Sequence, residues 1–343
     1  MLNHPFRTVA ALSCSIKGTR RPSFKKKKNK YTSSAYRAHS FRAVLGVPVC
    51  GFIFPSLNIS AAQPVMDGLK ATSLLFQRNG DLYRHDAEIL ACMPFSELSQ
   101  DDQILFKNAP EDVCAVIVNE TIFHPQGGGQ PSDVGRMITG TGIFDVLSVR
   151  TSTTHPGVVL HFGKFAQPSN ETLFKAGQKC LQTVNGAKRL LYSKYHTAGH
   201  VLGAAVRHLL EKQVEGFDEL KASHFPDSAS CEFAGLIAGS HKEAIQKKVD
   251  EYIEADMPVE IDWWSEDDFR KEGLERLIPN DEVREAMGVK PGEKFRVVKI
   301  VGAEVYPCGG THVKSTQACG KTVVKKIARN KGQSKVSYWL PDA

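Results

Sequence analysis

His196-Thr197-Ala198-Gly199-His200, read as HTAGH, and Cys308-Gly309-Gly310-Thr311-His312, read as CGGTH, stand far apart in the chain and decide how the rest is read. From Lys188 to Glu211 the apolar residues Leu191, Ala198, Leu202, Ala205 and Leu209 recur at the helical period, so HTAGH is placed on a helix. Residues i and i+4 on a helix share one face about 6 Å apart, near enough for His196 and His200 to hold one ion. Both project opposite the apolar stripe, beside Gly203 and Arg207. In CGGTH two glycines let the backbone fold tightly enough for Cys308 and His312 to reach a common point. The four side chains form the nitrogen and sulfur set that zinc prefers. The plainer alternatives are two unrelated solvent-facing histidines and a buried cysteine beside a turn. A metalloprotease helix is excluded, because Thr197 stands where its general-base glutamate belongs.

A third string, FHPQGGGQPSDVG at 123–135, lies upstream. Gly127, Gly128 and Gly129 remove side chains where a ligand or another backbone must approach, and the Gln130 amide offers both a donor and an acceptor. The string lacks the Gly-Lys-Ser/Thr of a phosphate loop, and its spacing fits no dinucleotide fingerprint. A plain glycine loop is the alternative.

Around these strings the pattern is α+β. Residues 71–85 read as a strand and turn punctuated by Asn79-Gly80-Asp81, and 113–118, 142–150 and 157–163 read as strands. Short strands between Gly and Pro turns predict a small β-rich, barrel-like domain over 67–175. Residues 176–343 then form an α+β zinc-containing domain with a mostly antiparallel sheet. Its second helix fits 239–255, and its strands fit 229–233, 258–264, 295–302, 321–328 and 334–340. The last two strands are joined by a hairpin at Asn330-Lys331-Gly332-Gln333.

The net charge of +7 is unevenly distributed. Residues 1–66 carry 11 of the 44 Lys and Arg and none of the Asp or Glu, leaving 33 basic against 37 acidic side chains in the remainder. That acid-free stretch, with Lys25-Lys26-Lys27-Lys28, reads as a basic disordered leader or a targeting segment for mitochondria or another organelle. A nuclear signal, or a start at Met66, would also fit. The folded part is expected in the cytoplasm. The apolar run 43–59 is broken by Gly46, Pro48, Gly51 and Pro55 and is too short for a membrane span, so no membrane partner is expected. Eight cysteines without a CxxC pair point to a reducing compartment and buried thiols.

In this order FHPQGGGQPSDVG, HTAGH and CGGTHV resemble the editing module of alanyl-tRNA synthetases, and more closely the freestanding AlaX-type editing proteins. KKIARNKGQSKVSYWL near the C-terminus resembles the end of that module. The resemblance covers about 70–340 and excludes 1–66. It implies a zinc-dependent deacylase acting in trans on alanine tRNA mischarged with serine, and in some members with glycine. It also implies zinc ligands at His196, His200, Cys308 and His312, with Gly127, Gly128, Gly129 and Gln130 lining the aminoacyl pocket. Gln130 or Thr197 would read the serine hydroxyl as catalytic or specificity groups. The family string usually has Tyr and Glu where this chain has His124 and Gln126.

Editing has a clear physical basis. A pocket shaped for alanine discriminates against serine or glycine by only about 1–3 kcal/mol, so a second, hydrolytic sieve is required. Four protein ligands nevertheless describe a closed structural zinc better than a catalytic one, which keeps a position open. Three arrangements reconcile the two: a five-coordinate zinc, one labile ligand, or a zinc that only anchors the amino acid while other groups position the water. The rival readings are a non-catalytic tRNA- or partner-binding module with a structural zinc, and a cysteine hydrolase using Cys308. A complete alanine–tRNA ligase is not expected, since 66 residues cannot house an aminoacylation domain. Lys188-Arg189-Lys194 and Lys321-Lys325-Lys326-Arg329-Lys331 are the candidate RNA contacts, with solvated faces as the alternative.

Overall fold

The computed structural model describes residues 66, 68–167, 174–286 and 289–343, which fall in one compact unit. Apart from Met66, the basic leader lies outside the described residues.

The first half is built of strands β1 (Ser73–Leu74), β2 (Arg84–Pro94), β3 (Cys114–Val118), β4 (Glu120–Thr121), β5 (Gly135–Thr139), β6 (Gly142–Thr151), β7 (Val159–Phe165) and β8 (Lys179–Val184). Between β2 and β3 runs a short helix, α1 (Gln100–Ile104). Six strands close an antiparallel barrel in the order β2-β3-β7-β6-β5-β8, while β1 and β4 pair in parallel outside it. Ile89, Val116, Val118, Phe144, Val146 and Val149 fill its interior. Strand β2 alternates, with Ala87 and Ile89 turned into the barrel; beyond a bulge at Ile89/Ala91 the phase flips, so Cys92 packs against the interior while Ala91 and Met93 join Ala115 and Ile117 in a second cluster on the outer face.

The barrel does not end at 175. Its sixth strand, β8, lies beyond that boundary, and Asn185 follows at once as the cap of the next helix, its side chain accepting from Lys188 N–H. The strand is hard to see in sequence because one inward residue is polar. Gln182 is fully buried, donating to Glu120 O (2.8 Å) and accepting from Ile122 N–H (3.1 Å).

The second half begins with α2 (Gly186–Leu210) and continues through β9 (Asp218–Ser223), β10 (Ser230–Ala234), α3 (Lys242–Glu254), β11 (Val259–Trp264), α4 (Glu266–Lys271) and α5 (Asp281–Ala286). Strands β12 (Phe295–Ile300), β13 (Glu304–Pro307), β14 (Val323–Asn330) and β15 (Gln333–Trp339) complete it. Two antiparallel sheets result, ordered β14-β15-β10-β9 and β11-β12-β13. Ala198, Val201, Leu202 and Ala205 of α2 join Ile245 and Val249 of α3, Phe233 and Val336 in one core. The expected hairpin is present: Lys331 and Gly332 have φ of 48° and 81°, matching the paired positive angles of a two-residue turn. Among the described residues no helix is long and apolar enough to cross a membrane.

Helix α2 departs from the amphipathic reading. Its apolar stripe faces the core, but the opposite face is buried as well, taking His196, Thr197, Gly203 and Arg207 out of solvent. Polar residues on that face mark a second interface, where the helix meets the two glycine-containing strings.

Candidate metal centre

The helix and the Cys308 loop meet as their residue types anticipate. One ligand atom from each of His196, His200, Cys308 and His312 lies within 4.8 Å of every other. Cys308 Sγ is 3.4 Å from His196 Nε2 and 3.3 Å from His312 Nε2. With Zn–S near 2.3 Å and Zn–N near 2.1 Å, tetrahedral zinc separates its sulfur and nitrogen ligands by about 3.6 Å, so these contacts need only a slight expansion. Two further observations fit a metal. His200 Nε2 is buried without a hydrogen-bond partner, which is costly unless something ligates it. Burial first, and then the neighbouring imidazoles, hold His196 and His312 well below the usual histidine range, and His200 is held there by burial, His224 and Arg296. The rings are thus neutral, as ligation requires.

Cys308 is buried, and burial pushes its thiol up, against the Arg296 guanidinium and the Gly310 N–H that donates to Sγ. Arg296 is itself 4% exposed. It donates to the Cys308 carbonyl and, over 2.9 Å, to Gln77 O. The second glycine of CGGTH is dictated by packing, since a Cβ at Gly310 would overlap the His196 ring.

Gln130 and Thr197 sit beside the ligands. His196 Nδ1–H donates to Gln130 Oε1 (2.7 Å), which also accepts from Thr311 N–H (3.0 Å), while Gln130 Nε2 donates to Thr311 Oγ1 (2.9 Å). The bond fixes the His196 tautomer with its Nε2 lone pair toward Cys308. Thr197 Oγ1 accepts from Val313 N–H (3.2 Å) and meets His312 Nδ1 at 3.1 Å, so it orients the second imidazole. Both residues are fully buried and occupy the places of groups that aim metal ligands. Gly127 and Gly128 are exposed at the turn of the glycine loop, and Gly129 is half-buried. Gln130→Ala is expected to weaken metal binding about 10–100-fold, the usual loss when a ligand's hydrogen-bond partner is removed. Metal titration by competing chelator checks this; unchanged affinity would remove Gln130 from the ligand support.

Two residues at the site carry no sequence signal. The His224 ring stacks on His196 with centroids 4.3 Å apart. Its Nδ1 lies 2.8 Å from Tyr338 Oη, which donates its own proton to Tyr195 O, so His224 Nδ1–H is the donor to Tyr338. Burial lowers this histidine to about 4, which keeps it neutral. Gly199 of HTAGH is the complement, because a Cβ there would run into the His224 ring. The other residue is Arg296. Neither has a spacing to the motifs that points to it.

The first basic patch is corrected. Arg189 is 1% exposed and paired with Asp133, so it is a structural group and not an RNA contact. Lys321, Lys325, Lys326, Arg329 and Lys331 are all exposed along β14 and its turn.

Comparison with known proteins places these features in context. Residues 295–336, which include Cys308 and His312, match the model of the threonyl and alanyl tRNA synthetase second additional domain. The alanyl-tRNA editing protein AlaX-L of Pyrococcus horikoshii is 32% identical over 220 residues, covering 64% of this chain and 49% of that protein. The alanine–tRNA ligase of Methanosphaera stadtmanae is 28% identical over 236 residues, covering 68% of this chain and 25% of the ligase. That of Archaeoglobus fulgidus is 30% identical over 220 residues, covering 62% and 21%. The chain thus spans about half of the editing protein and about a quarter or less of each ligase.

Proposed function

We propose that the chain, a relative of the AlaX-type alanyl-tRNA editing proteins, is a zinc-dependent aminoacyl-tRNA deacylase acting in trans on alanine tRNA mischarged with serine or glycine. The observation that carries this reading is the convergence of His196, His200, Cys308 and His312 with Gln130 of the glycine loop at one buried site.

The reaction adds water across the ester joining amino acid to ribose, releasing the free amino acid and the 3′-terminal hydroxyl. Zinc held by the four ligands would supply Lewis-acid polarisation for that step. The protein's own groups prepare the site. Gln130 and Thr197 fix two imidazoles, Arg296 holds the Cys308 loop by its carbonyl, and His224 walls off one side of His196. The remaining N–H of Gln130 and the exposed turn of the glycine loop are the groups proposed to meet the amino acid and distinguish serine from alanine.

The test is release of serine, glycine and alanine from the corresponding charged alanine tRNAs by the full chain, before and after chelation and with zinc restored. Multiple-turnover release of serine, abolished by chelator and recovered with zinc while the alanyl ester is spared, is expected. A zinc-loaded chain that binds the charged tRNA without turnover would instead establish a binding module with a structural zinc.

A further inference from the structure

A cavity of about 660 Å³ opens between the barrel and the histidine helix, within the usual size for a small-molecule site. Its wall includes Lys107, Arg150 and Lys188, with Tyr192, Phe225 and Gln126. Three chain segments serve both this cavity and the metal centre. On α2, Tyr192 lines the cavity one helical turn before the ligand His196. In the glycine loop, Gln126 lines it while Gln130 holds His196. Phe225 lines it next to His224, whose ring stacks on His196. The cavity and the metal centre are therefore built on the same three segments, with none of the four candidate ligands in the cavity wall itself.

Among the described residues the cations in the wall are not paired with a carboxylate. Arg150 Nε is buried without a hydrogen-bond partner, and neither Lys107 nor Lys188 makes an ion pair among the described residues. Leaving Arg150 in this position is unfavourable, because burial lowers its affinity for the proton. An anion would satisfy it, and the two aromatic rings lining the same cavity would take a flat heterocycle. That combination of a cationic rim and stacking faces is how proteins hold single-stranded RNA.

We propose that this cavity seats the 3′-terminal nucleotides of the substrate RNA, with backbone phosphate at Arg150 and Lys188 and a base against Tyr192 or Phe225, so that the ester reaches the metal centre. The assignment rests on the deacylase reading for the identity of its substrate, but it is tested without turnover.

The experiment measures binding of the trinucleotide CCA to the full chain and to Arg150→Gln, Tyr192→Leu and Lys188→Ala, with zinc content and near-ultraviolet circular dichroism as controls. Arg150→Gln should weaken binding tenfold or more, the loss of a charge-assisted contact to phosphate, and Tyr192→Leu by roughly five- to tenfold. Lys188→Ala, at an exposed position that cannot disturb the core, should lower the slope of log affinity against log salt by about one. Wild-type CCA binding in all three variants would overturn the assignment. So would displacement of CCA by inorganic phosphate at equal concentration, which would mark an anion site only, or by an oligoglutamate peptide, which would mark an acidic-peptide site. If the variants lose CCA binding but the wild type releases no serine, the cavity assignment stands and the deacylase reading fails.

Discussion

His200→Ala is expected to empty the proposed metal centre without unfolding the protein: zinc should fall from about one ion per chain to a trace, and the proposed serine release from mischarged tRNA should drop by about 10³-fold. The magnitude follows from the several kcal/mol that a Lewis-acidic ion contributes to such a reaction, each 1.36 kcal/mol being a factor of ten. The variant is informative because of how His200 is held. Its Nε2 has no protein partner, so deleting the ring orphans no donor or acceptor at that atom. The loss is in packing against Tyr306 (ring centroids 4.2 Å apart), His196 (4.9 Å), His312 (5.0 Å) and His224 (6.1 Å). Removing a buried nitrogen without a partner relieves a desolvation cost of about 1–3 kcal/mol, which offsets much of that packing. Thermal unfolding of zinc-free wild type and zinc-free variant should therefore agree within a few degrees, while the zinc-loaded wild type melts higher than either. Metal analysis, deacylation and thermal scans on the same preparations separate the possibilities. Retention of stoichiometric zinc would exclude His200 as a ligand, and retention of activity without zinc would exclude the metal-dependent mechanism.

The convergence of the four side chains was legible because its geometry is local: HxxxH on a helix forces two rings onto one face, and CGGTH is short enough for its ends to meet. The contributions that were not legible depend on tertiary contacts. Gln130 was open to a reading as a substrate group from the chemistry of its amide, yet it bonds to His196 and Thr311 across long stretches of chain. His224 follows a polar edge strand, β9, whose exposed Asp218, Leu220 and Lys221 conceal the strand itself. Arg189 reads as part of a basic patch until Asp133 is seen opposite it. The barrel was inferred from its β-branched strands, such as β3, whereas β2 was obscured by the acidic residues Asp86 and Glu88 between its inward positions, and β8 by the buried Gln182. Two kinds of residue broke the hydrophobic period: buried polar groups such as Gln182, Gln130 and Arg189, and exposed residues such as Asp86 on β2 and Lys221 on β9.

Asp133→Ala should be the most destabilising single change in the glycine string, costing about 3–5 kcal/mol by leaving a buried cation without its partner. Asp133 is 0% exposed and Arg189 1% exposed. Arg189 Nε donates to both carboxylate oxygens at 3.0 Å, Nη1 to Gly80 O and Nη2 to Ile122 O at 2.6 Å each. Asp133 also accepts from His124 N–H at 2.6 Å. The carboxylate thus ties the first turns of α2 to the glycine string, and the guanidinium extends the tie to the Asn79-Gly80-Asp81 turn. For a unit of this size the loss corresponds to a fall of roughly 10 °C in melting temperature, at about 2–4 °C per kcal/mol. The pair itself need not be worth that much, because removing two charges from water is nearly as costly as their attraction is favourable. Asp133→Leu combined with Arg189→Met should therefore be less destabilised than Asp133→Ala alone, which a double-mutant cycle in urea would show as a large coupling energy. The metal centre responds differently. Gln130 precedes Asp133 by one helix-turn's length of chain, and losing the tie frees the string that orients His196, so zinc affinity should fall in Asp133→Ala even below its melting transition. Equal stability losses in the single and double variants would mean that the ion pair is dispensable and that backbone packing alone holds the glycine string against the helix.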